Sequence, residues 1–255
     1  MPRPTEAALA ALLLALPARA HHEAIFGPQS SLVLSSPAFI SLQTFSRRFS
    51  DGAQETTPLF SFGFTPFDQV PLSFTAIIPA TDRDGKITRE DVILGTRYRY
   101  GLGGEDGNFL MGVAAVDVPS GNTDHKSFDG PFIAQAALLG SAESGSFSGI
   151  GYGYWRSAGN RKPQNLFLGT GFAWTPIDDH AAGRLFSVQL GLSDEISFEV
   201  GNQLFAHPTV VFAPGGHLLF FAVVSVPLHR QMNDLSLQDD YRVGAGAIFL
   251  FGGAP

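Results

Sequence analysis

Two short polar stretches contain residues that could ligate a metal ion. If the chain is cleaved after Ala20, His21 becomes the N-terminus, and its amine and imidazole could chelate Cu(II) or Ni(II), with His22 as a further ligand. The alternative interpretation is a polar lead-in that binds no metal. Residues 82–88 resemble the middle of an EF-hand loop, but Ala80 stands where the first acidic ligand belongs, which favours an Asp-Gly hairpin.

The composition limits the classes of protein to which the chain can belong. Of 255 residues, 44% are hydrophobic and 15% are charged, well below the ~25% charged residues of an average soluble domain. The formal net charge of −7 argues against nucleic-acid binding, because no positive field is available to attract phosphates. The chain has no cysteine, which excludes disulfides, thiolate metal sites and cysteine nucleophiles.

The first twenty residues have the features of a secretory signal peptide. Arg3 precedes an apolar run over residues 7–16, and Ala18 and Ala20 provide the small residues of a cleavage site. Ten apolar residues are too few to cross a bilayer as a helix, which needs about 20. The sequence therefore predicts a signal peptide over residues 1–20, a periplasmic lead-in over 21–36 and the folded domain over 37–255.

The remainder of the chain alternates with a period of two residues. In residues 166–174 the large apolar side chains Leu168, Phe172 and Trp174 share one parity, and the other parity carries glycine at 169 and 171 and alanine at 173. Five further runs show alternation, and Gly/Asn/Asp/Pro clusters separate them. Since no helix-length amphipathic stretch lies between the runs, the sequence predicts an all-β fold of about 12 antiparallel strands, within a range of 10–14.

Alternating strands fit either a soluble β-protein or a transmembrane β-barrel. In a soluble protein the apolar face points to a core, whereas in an outer-membrane barrel it faces lipid and the polar face lines a lumen. The polar face here is rich in Gly, Ser, Gln and Arg rather than Lys and Glu, and aromatic residues cluster near the strand ends. These features favour a single outer-membrane barrel with both termini in the periplasm, in which Leu168, Phe172, Val188 and Leu190 contact hydrocarbon.

Several polar residues fall on the parity opposite to the apolar stripe and are therefore candidates for the lumen. They could form a charged constriction that selects solutes, or they could form a salt-bridged plug, and at about 12 strands both outcomes are possible. Glycines in two of the strands would leave room for a passage. The lumen candidates are Arg97, Arg99, Gln189, Glu199, Gln203 and Arg242, and the glycines are Gly149, Gly151, Gly153, Gly169 and Gly171.

Four stretches of the chain carry a resemblance to a known family. They are REDVILGTRYRYGLGG at 89–104, AAVDVPSGN at 114–122, and the segments 187–203 and 209–251. The turn at 119–121 and the Asp-Tyr-Arg of the last strand at 240–242 contribute to the match. Together they resemble the outer-membrane proteins of the putative MetA-pathway of phenol degradation family. The resemblance implies an outer-membrane barrel that passes a small solute of aromatic or hydrophobic character, and it implies no catalytic residues.

One pair of residues could support an enzymatic function. His125-Lys126-Ser127 is similar to the His-x-Ser pair of outer-membrane phospholipases, but it falls in a loop instead of a lipid-facing strand. A membrane hydrolase is therefore the least favoured function, after a channel and a non-transporting structural or metal-handling barrel. The sequence predicts no enzyme and no cofactor. The expected partners are the outer-membrane bilayer, the outer-membrane assembly machinery and a small-molecule solute.

Overall fold

A computed structural model describes residues 38–66, 71–83, 85–102, 108–118, 120, 133–157, 164–179, 182–233 and 238–251. The regular elements of these residues are all β-strands, and none of the described residues forms a helix long and apolar enough to cross a membrane. The strands are β1 (Ala38–Phe49), β2 (Gln54–Phe64), β3 (Leu72–Arg83), β4 (Lys86–Arg89), β5 (Val92–Gly101), β6 (Phe109–Val118), β7 (Ile133–Ser144), β8 (Phe147–Arg156), β9 (Asn165–Asp179), β10 (Arg184–Ser197), β11 (Gly201–Gly215), β12 (Leu218–Met232) and β13 (Asp239–Phe251).

Twelve of the strands close into an antiparallel barrel. Each barrel strand pairs with its neighbours in chain order, β1 pairs with β13, and β2 pairs with β3, so no barrel edge remains open. The thirteenth strand, β4, pairs with β3 only and continues β5 across Glu90 and Asp91. The prediction of an all-β barrel of about 12 strands is therefore confirmed.

The barrel has two distinct ends, because an even number of strands returns the chain to the side where it started. Ala38 and Phe251 lie at one end, called the terminal end below. Phe49 and Asp239 lie at the opposite end, called the loop end, which also carries the longest connection, residues 119–132. At the terminal end β7 and β8 are joined by a two-residue turn in which Gly145 has a φ of 58°, a conformation that glycine adopts without strain.

The outer surface of the barrel is apolar over the middle of the strands. Leu168, Phe172, Val188 and Leu190 all point outward, and each is more than 40% exposed. Charged side chains on outward positions of the described barrel strands lie within four residues of a strand end, as Arg48, Asp82, Arg184 and Asp194 do. The outer surface therefore has the character expected of a surface in contact with hydrocarbon.

Aromatic side chains form a belt around the outside of the terminal end. The ring pairs Phe64–Phe74, Phe147–Phe172 and Phe249–Phe251 lie 5.7, 5.5 and 4.8 Å apart between centroids. Further exposed aromatic residues continue the belt, among them Tyr98, Tyr100, Trp174, Phe212 and Phe220. Aromatic rings at such a height are typical of the interface between hydrocarbon and lipid headgroups.

Candidate functional site in the barrel lumen

The inner wall of the barrel is apolar toward the terminal end. Inward side chains from most strands form one buried apolar cluster, and Phe39 and Phe109, at the terminal ends of β1 and β6, are 1% and 2% exposed. The cluster also includes Met111, Leu139, Ile150, Leu185, Val211, Phe221, Ile248 and Leu250. Because the barrel is apolar on both sides of its wall at this height, it differs from a barrel whose lumen is polar throughout.

The inner wall is charged toward the loop end, where Arg242 is the centre of an ion-pair network. Its guanidinium donates to both carboxylate oxygens of Glu195 at 2.5 and 2.7 Å, and its Nε donates to Asp239 at 2.7 Å. The same guanidinium lies 4.3 Å from the ring centroid of Phe205. The backbone N–H of Asp239 donates to Gln203 Oε1 at 2.8 Å. These contacts connect β10, β11 and β13 inside the barrel.

Two further ion pairs lie at the same end of the lumen. Arg156 on β8 pairs with Asp117 on β6, and Gln135 of the intervening strand β7 donates to the same carboxylate. Arg47 and Glu55 pair across β1 and β2 at 2.6 Å. At the loop end Arg47, Arg156 and Arg242 are therefore each paired with a carboxylate within the barrel.

Arg97 and Arg99 extend from β5 into the apolar half of the lumen. Arg97 is 2% exposed, and its guanidinium carbon lies 5.6 Å from the centroid of the Phe39 ring. Arg99 lies over the Phe109 ring at 4.1 Å. A guanidinium over an aromatic face is stabilised by the ring quadrupole, so two positive charges are held inside an otherwise apolar surface.

A buried histidine connects three strands at mid-height. His207 Nε2 lies 2.7 Å from Ser193 Oγ, and His207 Nδ1 lies 2.8 Å from Ser225 Oγ, so both ring nitrogens have hydrogen-bond partners. The predicted lumen residue Gln189 is also buried and inward, and its amide nitrogen contacts Ser187 Oγ at 3.5 Å. Since both ring nitrogens are occupied by serines, the arrangement lacks the carboxylate that orients the histidine of a catalytic triad.

Four aromatic rings lie against the inner wall at glycine residues on neighbouring strands. The pairs are Phe39 over Gly63, Phe45 over Gly244, Phe221 over Gly246 and Tyr152 over Gly169. In each pair a Cβ atom on the glycine would overlap the ring. The glycines therefore let bulky rings lie along the wall instead of projecting across the lumen.

The predicted position of one glycine run is wrong. Gly149, Gly151 and Gly153 of β8 face outward, and the tyrosines between them face the lumen. The pairing with β9 fixes this orientation, because Tyr152 lies opposite Gly169, which is on the inner face. On β9 the prediction is correct, since Gly169 and Gly171 are inward.

The predicted lumen position of Glu199 is also wrong. Glu199 lies in the exposed turn between β10 and β11, so it follows neither strand face. The carboxylate that reaches into the lumen is Glu195, four residues earlier on β10. The other five candidates, Arg97, Arg99, Gln189, Gln203 and Arg242, all point inward, and Gln203 and Arg242 share one network.

Other candidate sites lie partly or wholly outside the described residues. His21, His22, His125 and Ser127 belong to segments that the structure does not describe, so metal binding at the N-terminus and the His-x-Ser pair remain predictions. Among the described residues, no group of three or more His, Asp or Glu side chains is positioned to hold a metal ion.

Sequence reasoning missed several members of the lumen networks. Glu195 shares the parity of Gln189, so the alternation of β10 could have identified it. Asp117 and Arg156 lie close to turns, where parity is hard to assign before the pairing is known. The partners of these residues depend on strand register, which no single strand encodes.

Comparison with solved structures identifies the same barrel architecture in outer-membrane proteins. An outer-membrane channel from Pseudomonas putida F1 matches with a TM-score of 0.58 at 13% identity, covering 90% of this chain and 100% of that chain. The KdgM porin matches with a TM-score of 0.55 at 10% identity, covering 84% and 99%. The translocator domain of the autotransporter NalP from Neisseria meningitidis matches with a TM-score of 0.52 at 12% identity, covering 97% of each chain.

Sequence comparison gives no match. No family model matches the chain, and no curated protein matches it. The resemblance to the MetA-pathway family therefore remains a prediction, and the solved structures show that this chain shares its barrel fold with outer-membrane proteins.

Proposed function

We propose that the protein is an outer-membrane channel for a small solute of aromatic or hydrophobic character. The observation that carries this proposal is the apolar cluster on the inner wall, which extends from Phe39 and Phe109 to Leu250. An apolar wall binds apolar solutes through the same burial of surface that stabilises a protein core. A channel for strongly hydrated solutes would instead be expected to carry polar groups along its whole length.

The terminal end would face the periplasm and the loop end the exterior. The longest connection lies at the loop end, and transmembrane barrels place their longer loops outside the cell. The outer aromatic belt at the terminal end would then lie at the periplasmic membrane interface. This placement requires export through the predicted signal peptide and insertion by the outer-membrane assembly machinery.

The inward polar residues would act as selectivity elements. A solute entering at the loop end would first pass the networks around Arg242 and Asp117, and then the stacked guanidinium groups of Arg97 and Arg99. Gln189 and Gln203 would supply hydrogen-bonding groups along the same path. A charged zone before an apolar zone would exclude bulky hydrated solutes and admit compact ones.

Transport by the purified barrel tests the proposal. Proteoliposomes containing the refolded protein should admit small aromatic compounds that carry a charge, since such compounds cross a bare bilayer slowly, and empty liposomes provide the control. Planar-bilayer conductance measured in parallel reports whether ions also pass. Heat-modifiable migration in gel electrophoresis shows whether the barrel has refolded. If the refolded barrel admits neither ions nor aromatic solutes, the channel function is ruled out.

A further inference from the structure

Gln43 is a buried lumen residue with one polar atom that has no hydrogen-bond partner. It lies in the middle of β1, points inward and is 2% exposed. Its side-chain carbonyl oxygen, Oε1, has no hydrogen-bond partner. A buried acceptor without a partner is unfavourable, by roughly 1–3 kcal/mol in typical proteins, so such an atom in a channel wall indicates a place where another molecule supplies the donor.

The orientation of the Gln43 amide is fixed by a hydrogen bond to a serine on the same strand. Its Nε2 donates to Ser41 Oγ at 2.9 Å, two residues earlier on the same strand. Ser41 Oγ is itself held by Ser61 Oγ on β2 at 2.5 Å. Because the amide nitrogen is committed to this serine pair, the carbonyl oxygen points away from it. The acceptor is therefore held in one direction before any ligand arrives.

On the side that faces β13, the surroundings of Gln43 are apolar. Gln43 Cγ and the edge of the Phe221 ring both lie within 3 Å of the position that a Cβ atom on Gly246 would occupy. The Phe45 ring lies over the next inward glycine of β13, Gly244, with its centroid 6.3 Å from that of Phe221. The absence of two side chains on β13 therefore makes room for two rings and the glutamine on one section of the wall.

We infer that Gln43 forms a binding subsite for a solute that combines an apolar body with one hydroxyl or N–H donor. The Phe45 and Phe221 rings contact the apolar body, and Gln43 Oε1 accepts the hydrogen bond of the donor group. This inference deepens the channel function proposed above and rests on the lumen as the path of the solute. It makes Gln43 a specificity residue, since a solute without a donor leaves the acceptor unsatisfied.

Binding measurements with matched probes test the subsite without relying on transport. Cyclohexanol, methoxycyclohexane and cyclohexanone have similar apolar bodies, but only the first carries a donor. Affinities are measured by calorimetry with the full barrel in lipid nanodiscs, and empty nanodiscs correct for partitioning. The wild-type protein should bind cyclohexanol about five- to tenfold more tightly than methoxycyclohexane, the factor that one buried hydrogen bond supplies.

Two variants locate the preference at Gln43. Gln43→Met keeps the volume of the side chain and removes the acceptor, so it should abolish the preference while changing affinity for the ether little. Ser41→Ala releases the amide nitrogen and should weaken the preference while leaving the acceptor in place. Thr209→Val is the control, because Thr209 is equally buried in the lumen but its hydroxyl donates to the His207 carbonyl; its preference should match that of the wild type.

Three results would overturn the subsite. The first is equal affinity of the wild type for cyclohexanol and methoxycyclohexane. The second is an equal loss of affinity for both probes in Gln43→Met. The third is a preference for cyclohexanone as large as that for cyclohexanol, which would mean that the amide nitrogen of Gln43 faces the solute. If the preference for a donor persists in a barrel that admits no solute, the subsite is supported and the proposed channel function is ruled out.

Discussion

The ring of Tyr152 lies directly against Gly169 on the inner face of the barrel, where the two residues are paired across β8 and β9. A Cβ atom on Gly169 would overlap the ring. The lack of a side chain at Gly169 therefore allows the Tyr152 ring to lie along the wall. Gly151, the neighbour of Tyr152 in the chain, faces outward and would meet no atom within 4 Å. Two glycines close in space therefore have opposite packing requirements.

Replacement of Gly169 by alanine should destabilise the barrel. The added methyl group must displace the Tyr152 ring into the lumen, and overpacking of this kind costs roughly 1–3 kcal/mol. The measurement is urea-dependent unfolding of the barrel in lipid vesicles, followed by tryptophan fluorescence. Gly151→Ala is the matched control and should change stability by less than about 0.5 kcal/mol. Equal stability of the two variants would show that the ring does not rest on Gly169.

Loss of Arg242 should destabilise the loop end of the lumen. Arg242→Met leaves the carboxylates of Glu195 and Asp239 without their shared cation in a largely buried position, at a cost of up to about 3 kcal/mol. Unfolding in urea measures the loss, and Arg242→Met combined with Glu195→Gln should recover part of it. Arg230→Met provides the control, because the Arg230–Asp240 pair is exposed to solvent and should contribute little to stability. Similar losses in both single variants would contradict a buried network.

The alternation in the sequence predicts the strands but does not determine which face of each strand meets lipid. Tyr98 and Tyr100 of β5 face outward, and Tyr152 and Tyr154 of β8 face inward, although both pairs alternate with small or polar residues. The orientation follows from the partner strand, because the wall opposite Tyr152 is open at Gly169. Local periodicity carries no information about that partner.

The lumen networks depend on register in the same way. Arg242 and Glu195 are 47 residues apart in the chain and lie on strands separated by two others, yet they form a bidentate ion pair. The sequence identifies Arg242 as inward from its parity alone. It does not identify Glu195 as a lumen residue, and it places Glu199 in the lumen instead, although Glu199 lies in the turn between β10 and β11.

A charge placed on the outer surface at mid-height should prevent stable insertion. Leu190 points outward from the middle of β10 and is 55% exposed, and Leu190→Arg should cost about 2–4 kcal/mol in a bilayer. Leu228→Arg is the control, because Leu228 is equally exposed but lies near the loop end of β12, where the cost falls to about 0–1 kcal/mol. Folding yield into vesicles measures both. If Leu190→Arg folds as well as Leu228→Arg, water rather than hydrocarbon surrounds that surface.

Removal of positive charge from β5 should shift the ion selectivity of the barrel toward cations. Arg97 and Arg99 hold two guanidinium groups against Phe39 and Phe109 within the apolar half of the lumen, where a fixed charge acts strongly on a passing ion. In planar bilayers under a salt gradient, Arg97→Gln combined with Arg99→Gln should lower the anion-to-cation permeability ratio by roughly threefold or more. Arg230→Gln, at the exposed rim, should leave the reversal potential close to that of the wild type. Because both lumen variants keep a polar side chain of similar reach, an unchanged reversal potential in a conducting double variant would mean that ions do not pass β5 at all.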